Sequence, residues 1–367
     1  MKSINRTQEL QDRVRAAVND KTMLEIVGGN SKHFYGNNNT NTNKSETLET
    51  RIHQGIISYE PSELVITARA GTPLKDIEAL LAENNQMLPF EPPHFSEHAT
   101  LGGAIATGLS GSRRPFTGSA RDFVLGTKII TGKGESMSFG GQVMKNVAGY
   151  DVSRLMVGAL GTLGVLLEIS IKVLPLPNTE LTQVIAMSQR DALQTMHELN
   201  QTPLPLSALA YENEKLYIRL SGAESAVHSA QKKISGETLV HADKFWQQLN
   251  EQTHPFFVED KSLWRLSVPY TANIDLDETS FIDWAGALYW VHSDKATEEI
   301  RQKAIEQGGA ATLFNTPLVE THQVKTANNI KERFPPLQAK IKQFQINLKM
   351  RFDPYGILNY GRLYSDL

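Results

Sequence analysis

The sequence contains no cysteine among its 367 residues. The chain therefore has no disulfide, no Cys-ligated zinc, no iron–sulfur cluster of its own and no thiol nucleophile. We predict no metal site. Any redox chemistry in this protein must then rely on a bound organic cofactor.

Long apolar runs and a strong charge of either sign are absent too. No segment approaches the roughly 20 apolar residues that cross a bilayer, and a formal net charge of −3 provides no basic face for nucleic acid. The opening MKSINRTQELQDRVRAAV is polar and amphipathic, unlike a signal peptide. We therefore expect a cytoplasmic protein without a nucleic-acid partner or a membrane span.

Two common nucleotide-binding motifs are missing. No G-x-G-x-x-G opens a long helix with an acidic residue about 20 positions later, which disfavours a Rossmann site. A Walker loop is absent as well. A nucleotide cofactor would have to be held in another way.

The first half of the chain contains three glycine-rich turns instead, near residues 28, 102 and 161. The middle turn belongs to the stretch EPPHFSEHATLGGAIATGLSGSRRPFTGSARDFVLG, residues 91 to 126. Glycine allows a backbone to approach a ligand and to donate N–H groups to anions. A single glycine turn usually only turns the chain. Three turns together with Lys32, Arg113 and Arg114 predict a site that neutralises a diphosphate.

Hydrophobic periodicity predicts an α+β first half. We expect a helix over residues 4 to 18, a strand over 24 to 27, two strands in IISYEPSELVITARAG and a hairpin in DFVLGTKIITGKGESMSFGG. Thr72 and Pro73 predict the start of another helix. The alternation over residues 167 to 173 indicates a half-buried strand. Pro175 and Pro177 then favour a domain boundary at residues 175 to 180.

The second half has the order β-α-β-β-α of a ferredoxin-like unit, and a second such unit follows. The aromatic segment from Phe245 to Phe257 joins the two units. It is either a partner interface or part of the core. The last predicted element is an amphipathic helix that ends at Asp353 and Pro354.

Long segments of the sequence resemble a known family. These are VGGNSKHFYG, residues 91 to 135, FGGQVMKNVAGYDVSRLMVGALGTLGVLLEISIKVLPLP and the terminal FDPYGILNYGRLY. They resemble the FAD-binding E subunits of bacterial glycolate oxidase (glycolate dehydrogenase), flavoproteins of the vanillyl-alcohol oxidase and p-cresol methylhydroxylase (PCMH) type. RRPFTGSARDFVLGTKIITGKG and FGGQVMKNVAGYD are long, specific matches. The resemblance spans essentially the whole chain.

This resemblance implies an α+β fold with a defined domain order. A PCMH-type FAD-binding domain would occupy residues 1–176, in two α+β subdomains of about 1–56 and 57–176. A ferredoxin-like cap domain would occupy residues 177–336. A C-terminal helix and tail, residues 337–367, would return toward the FAD domain.

The resemblance also assigns cofactor contacts. The amides of the first turn would face the diphosphate of FAD, the second turn would run past the pyrophosphate and ribityl chain, the backbone of the third would pass the cofactor, and the tail would return toward the flavin. The implied contacts are Gly28, Gly29, Asn30, Ser31 and Lys32 in the first turn, Pro93, Thr100, Gly102, Gly103, Ala106, Gly108 and Ser112 in the second, Gly161, Thr162, Gly164 and Val165 in the third, and Asn359 and Arg362 in the tail. Relatives with covalent flavin often carry a histidine at the position of Asn30. We therefore predict noncovalent FAD.

The sequence lacks the motifs that accompany substrate oxidation in this superfamily. Oxidising relatives, including the D subunit, carry histidine motifs of the H-G-D-G-N and G-E-H-G types, and this chain has none. We expect that the chain relays electrons or stabilises a complex whose D subunit oxidises the substrate. If the chain is catalytic, Arg113 and Arg114 would bind a carboxylate, and Lys145 or Tyr150 would assist proton transfer.

Three functional classes therefore remain open. The first is the FAD subunit of a complex that oxidises glycolate or D-lactate, with an FAD-containing D subunit and an iron–sulfur F subunit as partners, placed in the cytoplasm or peripherally at the inner membrane. The second is a stand-alone FAD-dependent 2-hydroxy-acid dehydrogenase. The third is a flavin-free scaffold, which the intact glycine turns disfavour.

Overall fold

A computed structural model describes residues 3–37, 45–141, 151–274, 276–315 and 332–367. The chain forms two compact units. The first comprises residues 1–109, 119–176 and 336–367, and the second comprises residues 110–118 and 177–335.

The first unit contains a five-stranded antiparallel sheet, a two-stranded parallel sheet and a two-stranded antiparallel ladder. The five-stranded sheet has the order β3-β4-β8-β6-β7, and β1 pairs with β2 in parallel. The strands of the first unit are β1 (Met23–Val27), β2 (Ser45–Glu49), β3 (Ile56–Glu60), β4 (Val65–Arg69), β5 (Gln86–Met87), β6 (Val124–Ile130), β7 (Ser136–Gly140), β8 (Val165–Lys172) and β9 (Leu174–Pro175). β5 and β9 form a separate two-stranded ladder.

Short helices connect these strands. The helices of the first unit are α1 (Thr7–Asp20), α2 (Leu74–Glu83), α3 (Leu101–Thr107), α5 (Ala120–Phe123) and α6 (Val152–Leu155), while α4 (Arg114–Thr117) belongs to the second unit. The sequence had suggested that Thr72 caps α2, but in the structure it does not. Its hydroxyl accepts a hydrogen bond from the Gly55 N–H at 2.9 Å, and Pro73 is the N-cap.

Two apolar clusters hold the first unit together. In one, α2 and α3 pack against strand residues such as Ile66, Ile129 and Ile169. In the other, α1 packs on β1, β2, Val165 and Leu167. This second cluster also includes Ile357 and Leu358, so the C-terminal segment is part of the core of the first unit.

The second unit is built on one eight-stranded sheet with the order β13-β10-β12-β11-β15-β16-β14-β17. All its ladders are antiparallel. Its strands are β10 (Thr179–Ala186), β11 (Leu206–Glu212), β12 (Lys215–Gly222), β13 (Glu237–Thr238), β14 (Leu263–Ser267), β15 (Ser280–Asp283), β16 (Leu288–His292) and β17 (Ala310–Leu313). Its longer helices are α7 (Gln189–Leu199), α8 (Glu224–Ile234), α9 (Ala242–Asn250) and α10 (Thr297–Glu306). The last helix of the chain, α11 (Ala339–Phe352), lies in the first unit.

The sheet of the second unit divides into two similar halves. Numbered along the chain, β10 to β13 lie in the order 4-1-3-2, which is the order of a ferredoxin-like unit. β14 to β17 lie in the order 2-3-1-4, so the second half repeats the first in reverse across the sheet. The two halves meet where Tyr211 of β11 pairs with Ile282 of β15.

The aromatic segment of the second unit forms part of its core. Trp246 of α9 is 6% exposed and Phe257 is fully buried. The Phe245 ring stacks on Tyr217 with 4.2 Å between ring centroids. Of the two interpretations that the sequence allowed, the structure favours core packing over a partner interface.

Candidate cofactor-binding site

The three glycine turns meet in the first unit. They line one cleft of about 800 Å³, part of which is open to solvent. The predicted contacts that line it are Gly28, Gly29, Asn30, Ser31 and Lys32 from the first turn, Thr100, Gly102, Gly103 and Ala106 from the second, Gly161 and Gly164 from the third, and Asn359 and Arg362 from the tail. Turns far apart in sequence therefore form one wall.

The first turn follows β1 and has the geometry of an anion site. A Cβ on Gly29 would lie 1.5 Å from the His98 carbonyl oxygen, so no side chain fits there. Asn30 has φ 60, a left-handed conformation that asparagine tolerates. Within the described chain, the backbone N–H groups of Gly28, Gly29, Asn30 and Ser31 donate to no protein acceptor. Successive amides of this kind form a concave site for an anion.

Lys32 adds a positive charge to this turn. The side chain is buried, at 7% exposure, although it lines the cleft. Its ammonium donates to the Ser31 hydroxyl at 3.3 Å and to the His94 carbonyl at 3.2 Å, and it lies 5.6 Å from the centroid of the Phe95 ring. These contacts hold the ammonium next to the Ser31 side chain, in the same turn as the four amides.

In the second turn the N–H groups of the glycine pair have protein acceptors, and the turn instead leaves room for a ligand to approach its backbone. Thr100 is the N-cap of α3, and its hydroxyl accepts from the Gly103 N–H at 3.2 Å. The Gly102 N–H donates to the Ala70 carbonyl at 2.7 Å. A Cβ on Gly103 would touch only the Thr100 hydroxyl, at 3.3 Å. This position borders the cleft.

The third turn precedes β8 and again provides amides. Gly161 has φ 75, which favours glycine. The Gly161 and Gly164 N–H groups find no protein acceptor in the part of the chain that the structure describes. The neighbouring Leu160 N–H donates to the Ala106 carbonyl at 2.9 Å, which joins the third turn to α3.

The C-terminal segment closes the wall between the first and third turns. The Asn359 side chain accepts from the Ile26 N–H at 2.7 Å and donates to the Leu160 carbonyl at 2.6 Å. The Arg362 guanidinium donates to the carbonyls of Asn37 and His33 just after the first turn.

Five predicted cofactor contacts lie away from the lining of the cleft. Pro93 is buried, Gly108 is the left-handed C-cap of α3, and Val165 is the buried first residue of β8. The Thr162 hydroxyl donates to the Ala159 carbonyl at 2.7 Å. Ser112 belongs to the second unit, where its hydroxyl donates to Asp283 at 2.8 Å.

The candidate catalytic residues are not brought together in the cleft. Arg113 forms an ion pair with Glu180 at 2.6 Å in the second unit. Burial alone would raise the pKa of Glu180, but the Arg219 and Arg113 guanidinium groups hold it below its usual value. The Arg114 guanidinium lies 4.0 Å from the centroid of the Trp284 ring. Lys145 and Tyr150 lie outside the described residues.

Sequence reasoning missed several lining residues. These are Glu25, Ile26, Val27, His33, Tyr35, Thr50, Ala70, Thr107, Leu160 and Leu166. Most flank a glycine turn or follow a strand end, so extending each predicted turn by a few residues would have found His33, Tyr35 and Leu160. Thr50 and Ala70 follow β2 and β4 and carry no signal in the sequence.

Metal binding and membrane crossing find no support in the described ranges. No group of three His, Asp or Glu side chains there could hold a metal ion. No helix there is both long and apolar enough to cross a membrane.

Comparison with known proteins identifies the family. Residues 4–140 match the FAD binding domain family. The chain is 48% identical over 362 residues to glycolate oxidase subunit GlcE of Escherichia coli K12, covering 98% of both chains. The chain belongs to the GlcE family of glycolate oxidase subunits. The resemblance seen in the sequence is thereby confirmed, and the chain is an oxidoreductase subunit with an FAD-binding domain.

Two further comparisons concern a part of the chain and its fold. It is 31% identical over 145 residues to glycolate oxidase subunit GlcD of Bacillus subtilis 168, which covers 39% of this chain and 31% of that one. The solved structure of p-cresol methylhydroxylase matches 98% of this chain and 88% of its own, with a TM-score of 0.71 at 15% identity. The predicted α+β fold of the PCMH type is confirmed.

Proposed function

We propose that this chain is the FAD-binding E subunit of a complex that oxidises glycolate, and D-lactate as a second substrate, to the 2-oxo acid. In this proposal residues 1–176 and the tail 337–367 bind FAD, and residues 177–336 form a cap domain. A homologous D subunit oxidises the substrate, while this chain relays electrons or stabilises the assembly with an iron–sulfur F subunit. The complex lies in the cytoplasm or peripherally at the inner membrane.

The observation that carries the proposal is the first turn of the cleft. Four backbone N–H groups without a protein acceptor belong to the same cleft-lining turn as the cation Lys32, and amides together with a cation are a donor set suited to a diphosphate. The open side of Gly103 allows a flat or extended group to approach the backbone. These residues fit FAD, which when bound would accept two electrons from a substrate or donor.

The lining described for the cleft includes one histidine and neither Arg113 nor Arg114, which supports a relay or assembly role. Oxidation of a 2-hydroxy acid needs a base for the hydroxyl proton and a cation for the carboxylate. The one histidine among the lining residues is His33, whose Nδ1 lies 3.5 Å from Glu25 with both side chains about half exposed. Arg113 and Arg114 have their contacts in the second unit.

The alternative is a stand-alone FAD-dependent 2-hydroxy-acid dehydrogenase. The Glu25–His33 pair favours it, because a histidine beside a carboxylate in the cleft has the composition of a proton acceptor. Substrate oxidation by the isolated chain would distinguish the two functions.

The test uses the full chain purified alone and reconstituted with FAD. We expect a yellow protein whose flavin absorbance persists for minutes after addition of glycolate or D-lactate without air. Addition of the D subunit with substrate should then bleach the flavin. Rapid bleaching by the isolated chain would establish the alternative, and a chain that binds no FAD would overturn both functions.

A second measurement addresses how FAD is attached. Because Asn30 occupies the position at which covalent relatives carry a histidine, we propose noncovalent attachment. Acid denaturation followed by filtration should release all the flavin. Flavin that stays with the polypeptide would contradict this, and peptide mapping would show whether His33 holds it.

A further inference from the structure

A buried ion pair outside the cleft connects two of the segments that line it, the third glycine turn and the C-terminal segment. Lys349, near the end of α11, is 8% exposed, and Asp353, just after this helix, is 1% exposed. The Lys349 ammonium lies 2.8 Å from the Asp353 carboxylate. Neither residue lines the cleft.

All the donors of this ammonium are engaged, and two of them reach separate parts of the chain. The Lys349 ammonium donates to the Thr162 carbonyl at 2.8 Å, inside the third glycine turn. It also donates to the Leu358 carbonyl at 2.8 Å, in the C-terminal segment. One buried cation therefore fixes the third turn relative to the tail.

Asp353 fixes the direction of the tail. Its carboxylate accepts from the Ile357 N–H at 3.2 Å and from the Leu358 N–H at 2.8 Å. Burial holds the pKa of Lys349 below its usual value, although the charge and hydrogen bond of Asp353 act in the opposite direction. The pair thus holds a tight turn between α11 and the next segment.

The segment that leaves this turn lies beside β1. The Leu24 N–H donates to the Ile357 carbonyl at 2.7 Å, and the Asn359 N–H donates to the Leu24 carbonyl at 3.0 Å. This pairing positions Asn359, whose side chain joins Ile26 of β1 to Leu160 of the third turn. Two residues that do not themselves line the cleft therefore hold the segments whose residues line it.

We propose that Lys349 and Asp353 are positioning residues for FAD, and that they couple cofactor binding to docking of residues 353–362. The inference rests on the proposed binding of FAD in this cleft. Because binding linkage is reciprocal, a docked tail tightens FAD binding, and bound FAD stabilises the docked tail. No contact between FAD and either residue is required.

The first test compares variants of the full-length chain by titrating the FAD-free protein with FAD. Lys349→Met should weaken FAD binding at least ten-fold. Lys340→Met is the matched control, because it makes the same substitution at an exposed position of α11. The control should bind FAD within two-fold of the wild type.

A double variant separates positioning from stability. Lys349→Met leaves Asp353 buried without its cation, whereas Lys349→Met/Asp353→Asn removes both charges. The double variant should regain part of the lost unfolding temperature while FAD binding stays weak. Full recovery of FAD affinity in the double variant would overturn the positioning role.

A second readout uses the wild type alone and needs no activity. Hydrogen exchange of the amides in residues 353–362 should slow at least several-fold when FAD is added. Unchanged exchange at saturating FAD would overturn the inference even if every variant failed to fold. A wild type that binds no FAD would instead remove the proposed function on which the inference rests.

Discussion

At the scale of single residues, adjacent glycines in the second turn serve different purposes. Gly102 packs against Ala70, where a Cβ would lie 2.8 Å from the Ala70 Cβ and 2.9 Å from its carbonyl oxygen. Gly103 faces the cleft, where a Cβ would meet only the Thr100 hydroxyl. One glycine is required by the fold, and the other leaves room for a ligand.

This difference predicts opposite outcomes for two alanine substitutions. Gly102→Ala should lower the free energy of unfolding by about 1–3 kcal/mol, because the methyl group overpacks a rigid contact. Gly103→Ala should leave stability unchanged or raise it by up to about 1 kcal/mol through helix propensity, but weaken FAD binding by about ten-fold. Denaturant unfolding and FAD titration of both variants measure the two effects. Equal FAD affinity in Gly103→Ala and the wild type would exclude this glycine from the site.

A buried histidine makes the stability of the first unit dependent on pH. His53 is fully buried, and its Nδ1 accepts from the Arg6 N–H at 2.9 Å. Burial, with a smaller contribution from the Arg69 charge, lowers the pKa of His53 from 6.5 to about 4. The imidazole is therefore neutral in the folded chain at pH values where the unfolded chain already binds a proton.

Stability should consequently fall on acidification. Between pH 6.5 and pH 4 the unfolded state binds a proton that the folded state does not bind. The free energy of unfolding therefore decreases as the pH falls, by on the order of 3 kcal/mol at the lower end of this range. His53→Gln should reduce the pH dependence of the free energy of unfolding by the amount that corresponds to the uptake of about one proton. His228→Gln changes a half-exposed side chain and serves as the control. An unchanged slope in His53→Gln would contradict the assignment.

At the scale of elements, the sequence predicted those that carry a local signal. Alternating side chains indicated β8, and the glycine-containing turn indicated the β6–β7 hairpin. These patterns depend on near neighbours in the sequence. They are therefore visible without any tertiary contact.

Elements and residues defined by distant contacts were not predictable. β15 has only four residues, and α9 lies in a segment whose aromatic residues concealed its helical period. The Thr72 hydroxyl hydrogen-bonds to Gly55, across the chain, and does not cap the following helix. Arg113 was assigned to anion binding because the sequence cannot show that Glu180 would lie beside it.

The Arg113–Glu180 pair gives a prediction at this scale. Arg113→Met should lower the free energy of unfolding by about 2 kcal/mol. The substitution removes a buried arginine and leaves Arg219, at 3.9 Å, as the cation beside Glu180. Because the pKa of Glu180 is lowered in the fold, the stabilisation is present above the usual pKa of a glutamate and is lost as the pH falls through the lowered value.

The same variant tests whether Arg113 also serves the cofactor. We expect FAD affinity within two-fold of the wild type, because the guanidinium is held by residues of the second unit. Arg190→Met, at an exposed position of α7, is the matched control for stability. A large loss of FAD affinity with little loss of stability would return Arg113 to the phosphate-binding role predicted from the sequence.

At the scale of the whole molecule, each unit has its own apolar core. The clusters around α1, α2 and α3 draw on the first unit, and the cluster around Trp264 and Tyr289 draws on the second. The proposed FAD site lies entirely in the first unit. Ligand binding should therefore stabilise one unit directly.

The distribution of tryptophan makes this measurable. All four tryptophans, Trp246, Trp264, Trp284 and Trp290, belong to the second unit. FAD at about 100 times its dissociation constant stabilises the state that binds it by about 2.7 kcal/mol. For a unit of this size class that corresponds to a rise of about 5–10 °C in the unfolding midpoint. The rise should appear by calorimetry and be absent from the tryptophan-fluorescence midpoint.

The control for this measurement is Lys32→Met, which removes the buried cation of the first turn and should abolish most of the calorimetric shift. Two outcomes would contradict a shift that appears by calorimetry alone. Equal shifts of both midpoints would show that the two cores unfold as one cooperative unit. A shift confined to tryptophan fluorescence would place the FAD site in the second unit, and with it the anion-binding role of the three glycine turns would be lost.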